Sequence, residues 1–186
     1  MTAKLLLIRH AETDLAGTFC GHSDPPVNTR GRQQIEILLN ALQQHSIEAV
    51  YSSDLQRART TAEAIAQYFN VPLRTTANLR EIGFGDWENL TWEQIEQRDP
   101  AHAQRWVAEC PRLAAPHGEE FAAFEDRTLR EFDALATASQ NAAVVTHGGV
   151  LRVILTRRCG LSEEQAWLRT KAYCSIFTYA DGRAKL

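Results

Sequence analysis

The chain has 186 residues, of which 44% are hydrophobic and 23% charged, with a net charge of −3. That length suits one domain with a good core, or one domain carrying an insertion. The mild acidity argues against nucleic acid or an anionic membrane as the main partner, and no apolar run approaches the ~20 residues that a membrane helix needs.

The first apolar run, Leu5 to Ile8, stops at Arg9-His10. Consecutive large apolar residues followed by polar ones predict a strand buried on both faces, as in parallel sheets. Ligands of open α/β sheets gather at the carboxyl ends of strands, which is where Arg9 and His10 would lie. The entry into a strand so early predicts no signal peptide. A long polar loop, Ala11 to Pro26, follows; loops of that length inside a compact domain are often functional. Asn28 suits an N-cap, and Ile35, Leu38, Leu39 and Leu42 share one helical face. Ala49 to Ser53 predicts a second strand, with Asp54 as the N-cap of the next helix. That helix has a stripe of Leu55, Ala58, Ala62, Ile65, Ala66 and Phe69, and Asn70-Val-Pro72 stops it.

Leu73 to Thr75 predicts a brief strand, and the glycine-containing stretch Leu79–Glu88 a loop. Two short helices, over 91–97 and 102–109, are separated at Pro100, and residues 110–118 form a linker. Residues 87–118 thus read as a helical excursion over the sheet, inside a single domain spanning 1–186. Trp87, Trp92 and Trp106 would pack that excursion on the sheet or wall a pocket. A long helix follows, with Phe121, Phe124, Thr128, Phe132 and Leu135 on its inner face. Glu119 and Glu120 suit its first turn rather than a metal site. Ala142 to Thr146 is another apolar run ending in a histidine, His147. A largely buried helix over 150–158, a helix over 162–168 and a last strand over 174–179 complete the chain. Alternating strands and helices predict a three-layer α/β/α sandwich with a mainly parallel sheet. Cys20, Cys110, Cys159 and Cys174 are scattered, with no C-x-x-C pair. They read as free thiols in a reducing, cytoplasmic compartment.

Two strands of one parallel sheet would deliver His10 and His147 to the same rim. Arg9 neighbours His10, and Arg57 lies in the first turn of a helix, where dipole and free amides already favour an anion. Arginine offers a planar fork of donors. Gly148 and Gly149 open another helix and add amides. So many donors suit a phosphoryl group better than a carboxylate. A histidine among cations has its charged form disfavoured, and a neutral imidazole is a nucleophile. One histidine could attack phosphorus while the other donates to the oxygens that gain charge. The leaving alkoxide needs a proton, for which Glu81 is the candidate acid, with Glu88, Glu12 and Glu119 as competing carboxylates. Glu12 is better placed to orient Arg9 or a loop amide.

Arg9-His-Ala-Glu-Thr13 resembles the Arg-His-Gly-Glu-Thr signature of the histidine phosphatase superfamily, which has the phosphoglycerate mutase-like fold. Ser53-x-x-x-Arg57-Ala58-x-x-Thr61-Ala62 resembles its second motif, Leu79–Glu88 its acid loop, and Thr146-His-Gly-Gly149 its last motif. The likeness runs in order from about Leu5 to Leu155. It implies that His10 is the phosphorylated nucleophile, that Arg9, Arg57 and His147 hold the phosphate, and that Glu81 is the proton donor. It implies no metal and no cofactor. Two departures stand out: Ala11 replaces the family's glycine, and Ala16 stands where an asparagine is frequent. The lost contact could come instead from the loop around Cys20, Gly21 and His22, the expected substrate-binding residues.

Within the superfamily, Cys20–Pro26 and Gly85–Glu88 look most like the α-ribazole-5′-phosphate phosphatases of cobalamin nucleotide-loop assembly. The chain is shorter than the glycolytic mutases, which favours a metal-independent phosphatase acting on a small phosphorylated metabolite. A mutase, a phosphohistidine-protein phosphatase and a non-catalytic phospholigand module, the last motivated by Ala16, are the alternatives.

Overall fold

The computed structural model describes residues 4–138, 140–180 and 183–185, the last three by backbone alone. One sheet holds its strands in the order β3 (Leu73–Thr76), β2 (Ala49–Ser53), β4 (Ala142–Thr146), β1 (Leu5–Arg9), β5 (Ile176–Ala180) and β6 (Arg183–Lys185). Strands β3, β2, β4 and β1 run parallel; β5 runs antiparallel to β1, and β6 antiparallel to β5. The sheet is mainly parallel, as the sequence predicts.

The layers follow from the period of a strand, whose successive side chains point to opposite faces. Leu5 and Leu7 of β1 join Val144 of β4 in one core cluster, with Phe124 and Phe132 of α5 (Phe121–Thr137) and Leu151 and Ile154 of α6 (Gly148–Arg157). Leu6 and Ile8 face the other way. They meet Leu38 and Leu42 of α1 (Thr29–Leu42) and Ala58, Ala62 and Ile65 of α2 (Gln56–Phe69). Both faces of β1 are thus covered, which explains why its sequence is apolar without alternation. Burying each such side chain contributes about 1.5–3 kcal/mol.

Register then sets the site. Strand β1 pairs with β4 so that Arg9 lies opposite Thr146. The next residue of each strand is a histidine, and the His10 amide donates to the Thr146 carbonyl at 2.9 Å. The two imidazoles therefore leave the sheet at the same height.

Asn28 caps α1 as expected, its side chain accepting from the Gly31 amide at 2.7 Å. Asp54 does not cap α2. It pairs with Arg80, and the Gln56 amide donates instead to Asp24 of the long loop, at 2.6 Å. The two helices of the excursion part at Pro100 as expected: α3 (Trp92–Arg98) ends before it, and it is itself the first residue of α4 (Pro100–Glu109). Proline suits that position because it lacks an N–H that would find no partner there. Helix α6 starts at Gly148, two residues before the expected apolar face, and α7 (Glu163–Arg169) is capped by Ser162. Strand β5 starts at Ile176 rather than Cys174, and the short β6 carries no periodic signal.

The excursion does not dock on the sheet through its tryptophans. Trp87, Trp92 and Trp106 surround Phe19 of the long loop, with ring centroids 5.8, 6.2 and 5.7 Å from it. Ile95 and Ala103 complete this separate small core. Trp87 is 3% exposed. Replacing Trp87 by alanine should lower unfolding stability by about 3–5 kcal/mol, measured by urea denaturation, through the void left among these rings.

Candidate functional site

His10 and His147 face each other with ring centroids 4.9 Å apart and planes inclined by 57°. Both are buried, at 6% and 1% exposure. His10 Nδ1 lies 2.7 Å from the Ala11 carbonyl oxygen. A carbonyl can only accept, so Nδ1 carries the proton and the lone pair of the neutral ring is on Nε2. Ala11 is itself held: its amide donates to Thr61 Oγ1 at 3.1 Å, and Thr61 Oγ1 donates to the Arg57 carbonyl. The Ala11 methyl is fully buried beside Val27 and Ile35, so the departure from glycine fills a core position.

Arg57, 1% exposed, donates to three loop carbonyls: Nη1 to Ser23 at 2.6 Å, and Nη2 to Cys20 and Gly21 at 3.2 and 2.7 Å. Arg9 donates from Nη1 to the carbonyls of Thr170 and Lys171 just past α7, at 2.8 and 2.6 Å, and lies over the Tyr173 ring at 4.1 Å. Among the described residues neither guanidinium has a carboxylate within salt-bridge distance. Their charge is left for something else. Two buried side-chain nitrogens of the described residues have no hydrogen-bond partner, Arg9 Nε and His147 Nδ1. Both belong to this rim, and an unmade hydrogen bond on a buried group costs about 1–3 kcal/mol. An anion accepting from both would relieve that cost.

Glu81, 8% exposed, accepts from the Gly149 amide at 2.8 Å and the Ile82 amide at 3.0 Å. A Cβ on Gly149 would overlap Glu81 Oε1, so only glycine lets the carboxylate reach the start of α6. The Gly149 amide is therefore occupied rather than open to a ligand. Glu12 does not touch Arg9; it accepts weakly from Asn28 and Gln34, at 3.4 Å each, and lies 3.6 Å from Arg30. Glu88 accepts from the amides of Gly21, His22, Ser23 and Phe84, at 2.8–3.1 Å. The loop 20–23 is thus gripped by its amides through Glu88 and by its carbonyls through Arg57. The amides of Gly21 and His22 are engaged there, while the His22 ring lies 3.1 Å from the Glu81 carbonyl oxygen. Cys20 is half-buried, and its thiol donates weakly to Ser23. Ala16 is exposed and brings no polar side chain.

Further residues at the rim carry no obvious signal in the sequence. Arg127 of α5 pairs with Glu119 at 2.7 Å and donates to the carbonyls of Asn78, Arg80 and Glu81, which braces the acid loop. Tyr173 lies 5.6 Å from the His10 ring. It precedes β5, whose antiparallel direction brings the start of that strand to the same rim as the ends of β1 and β4.

The model of the histidine phosphatase superfamily (branch 1) matches residues 5–186. The chain belongs to the histidine phosphatase superfamily. As a histidine phosphatase it is a phosphoric monoester hydrolase, the reaction class its motifs imply. It is 33% identical over 168 residues to the adenosylcobalamin/alpha-ribazole phosphatase of Escherichia coli (strain K12), covering 88% of this chain and 83% of that one. It is 28% identical over 168 residues to phosphoserine phosphatase 1 of Hydrogenobacter thermophilus, covering 88% and 80%. The crystal structure of the alpha-ribazole phosphatase from Shigella flexneri superimposes with a TM-score of 0.86 at 30% identity, covering 98% of this chain and 94% of that one. The phosphoglycerate mutase-like architecture expected from the motifs is therefore the fold of this histidine phosphatase.

Burial first, and the Arg57 and Arg9 guanidiniums next, hold His10 well below 6.5. Burial likewise dominates for His147, followed by Arg57, His10 and Arg9, and it too lies well below 6.5. The cations thus act in the direction the sequence suggests, but loss of water is the larger cause. Each ring is neutral when folded and takes up a proton below pH 6.5 when unfolded. Each therefore adds stability that is complete above that pH and is lost as the pH falls. Between pH 6.5 and about 5.5, denaturation of the ligand-free protein should show stability falling by up to about 1.4 kcal/mol per pH unit for each histidine. His10→Gln should make that slope shallower.

Proposed function

We propose that this histidine phosphatase hydrolyses a small phosphomonoester through a phosphohistidine on His10, with α-ribazole 5′-phosphate as the substrate to test first. The observation that carries the reading is the pair of unpartnered buried nitrogens, Arg9 Nε and His147 Nδ1, beside a histidine whose tautomer leaves Nε2 as the base. In this reading the phosphoryl oxygens accept from Arg9, Arg57 and His147. The His10 Nε2 lone pair forms the N–P bond as the P–O bond to the substrate alcohol breaks. The departing alkoxide takes a proton from Glu81, which has to be in its acid form at that moment. Water then attacks phosphorus, Glu81 takes one of its protons, and the N–P bond breaks to release phosphate and restore His10.

Residues 1–186 act here as one catalytic domain, with the excursion at 87–118 as its cap. Cys20, Gly21 and His22 belong to the substrate loop, and act chiefly by holding Arg57 and flanking Glu81. The choice of α-ribazole phosphate rests on the names of the Escherichia coli and Shigella flexneri relatives, which this chain matches over most of their length. The Hydrogenobacter relative motivates phosphoserine as the competing substrate.

Three measurements test the reading. His10→Ala should abolish hydrolysis of p-nitrophenyl phosphate and the acid-labile phosphoenzyme seen on rapid quenching; a fully active variant refutes the mechanism. Glu81→Gln should slow an alkyl phosphate by roughly 10²- to 10⁴-fold, and p-nitrophenyl phosphate far less, because nitrophenolate leaves without a proton. A panel containing α-ribazole 5′-phosphate, phosphoserine, 3-phosphoglycerate and sugar phosphates should rank α-ribazole phosphate highest in kcat/KM; preference for phosphoserine would replace that assignment.

A further inference from the structure

Ser53 ends strand β2, is fully buried, and lies in none of the contacts assigned above. Its Oγ is 2.8 Å from His147 Nε2 and accepts the Leu55 amide at 3.3 Å. We infer that Ser53 is a positioning residue: its hydroxyl donates to His147 Nε2 and so fixes the imidazole as the Nδ1–H tautomer, a donor aimed at the bound phosphoryl group.

A hydroxyl has one proton to give and lone pairs to receive. The Leu55 amide already uses one lone pair of Ser53. Among the described residues, the acceptor within reach of the Ser53 proton is His147 Nε2. With Nε2 accepting, the single proton of a neutral ring resides on Nδ1. That nitrogen is buried and has no partner in the protein. In the opposite arrangement Nε2–H would donate to Ser53, the serine proton would lack an acceptor, and a bare lone pair would face the phosphoryl oxygens. Two acceptors in contact repel, and the site would lose one of its donors at the stage where charge builds on those oxygens. His147 is thereby the mirror of His10. Both rings are protonated on Nδ1, but a backbone carbonyl sets the first and a serine hydroxyl the second. One ring presents its lone pair to phosphorus and the other presents its proton to oxygen.

The inference rests on the reading that this pocket holds a phosphoryl group, but its primary test does not need turnover. Long-range ¹H–¹⁵N correlation spectra of the ligand-free, histidine-labelled protein at pH 7.5 separate the two tautomers, with the His147 signals assigned by their loss in His147→Gln. The wild type should show the Nδ1–H pattern; an Nε2–H pattern overturns the inference. In Ser53→Ala the ring should shift toward Nε2–H, the affinity for vanadate should fall, and kcat/KM should drop roughly 10- to 100-fold. Ser53→Thr keeps the hydroxyl and should restore the tautomer and most of the rate. An alanine variant that keeps the Nδ1–H pattern and full activity overturns the assignment. Where Ser53→Ala fails to fold, the wild-type spectrum still decides. A failure of the phosphohistidine mechanism would appear in the rapid-quench test for the His10 phosphoenzyme and not in this spectrum.

Discussion

Two guanidiniums, Arg57 buried and Arg9 partly buried, held by carbonyls instead of carboxylates, are the constraint on which the site depends. A carboxylate partner would neutralise each charge, and the rim would have little to offer an anion. Carbonyl dipoles fix Arg9 and Arg57 in place while leaving their charge in force. The same arrangement keeps the neighbouring imidazoles neutral, together with their loss of water. In the proposed reading the guanidiniums bind the anion and add to burial, the larger cause, in keeping the imidazoles neutral. Buried donors with no partner in the protein carry a cost, and in the proposed reading a phosphoryl group removes it.

Supplying those carbonyls takes parts of the chain that are remote in sequence. The end of α7 serves Arg9, and the loop 20–23 serves Arg57. That loop is in turn fixed by Glu88 through its amides. Glu88 is a carboxylate in the acid loop, yet its four amide partners give it a holding role, and burial is outweighed by those donors so that it stays below the usual glutamate range. Arg127 does the corresponding work under Glu81. The reacting side chains are few, but their geometry is distributed over the loop, the acid segment, α5 and α7.

Much of this was legible from the residues. Continuous apolar runs ending in histidine gave β1 and β4, and the register Arg9↔Thr146 puts both rings at one edge. Helical stripes gave α1, α2 and α5, although Glu119 and Glu120 precede α5 instead of forming its first turn. What was hidden depends on direction or on backbone partners. Nothing in Ile176–Ala180 reveals that β5 runs antiparallel, so Tyr173 could not be placed at the rim. Asp54 has the composition of an N-cap, but the bidentate pull of Arg80 outweighs it, and Asp24 covers the helix amide from a distant loop. The sequence offers the sheet or a pocket wall for the tryptophans and not Phe19, whose position within a long loop cannot be derived from local pattern. Glu88 and Glu81 differ in which amides they meet, and amides carry no sequence signature.

The docking of Phe19 among the excursion tryptophans has a further meaning. It fastens the loop after β1 to α3 and α4. Of the groups proposed to hold phosphate, Arg9 is anchored past α7, whereas Arg57 is held by residues 20–23 of this same loop. A change in residues 92–109 is thus transmitted through Phe19 to the loop whose carbonyls hold Arg57. The packing of three tryptophans at a distance thereby bears on where one guanidinium stands.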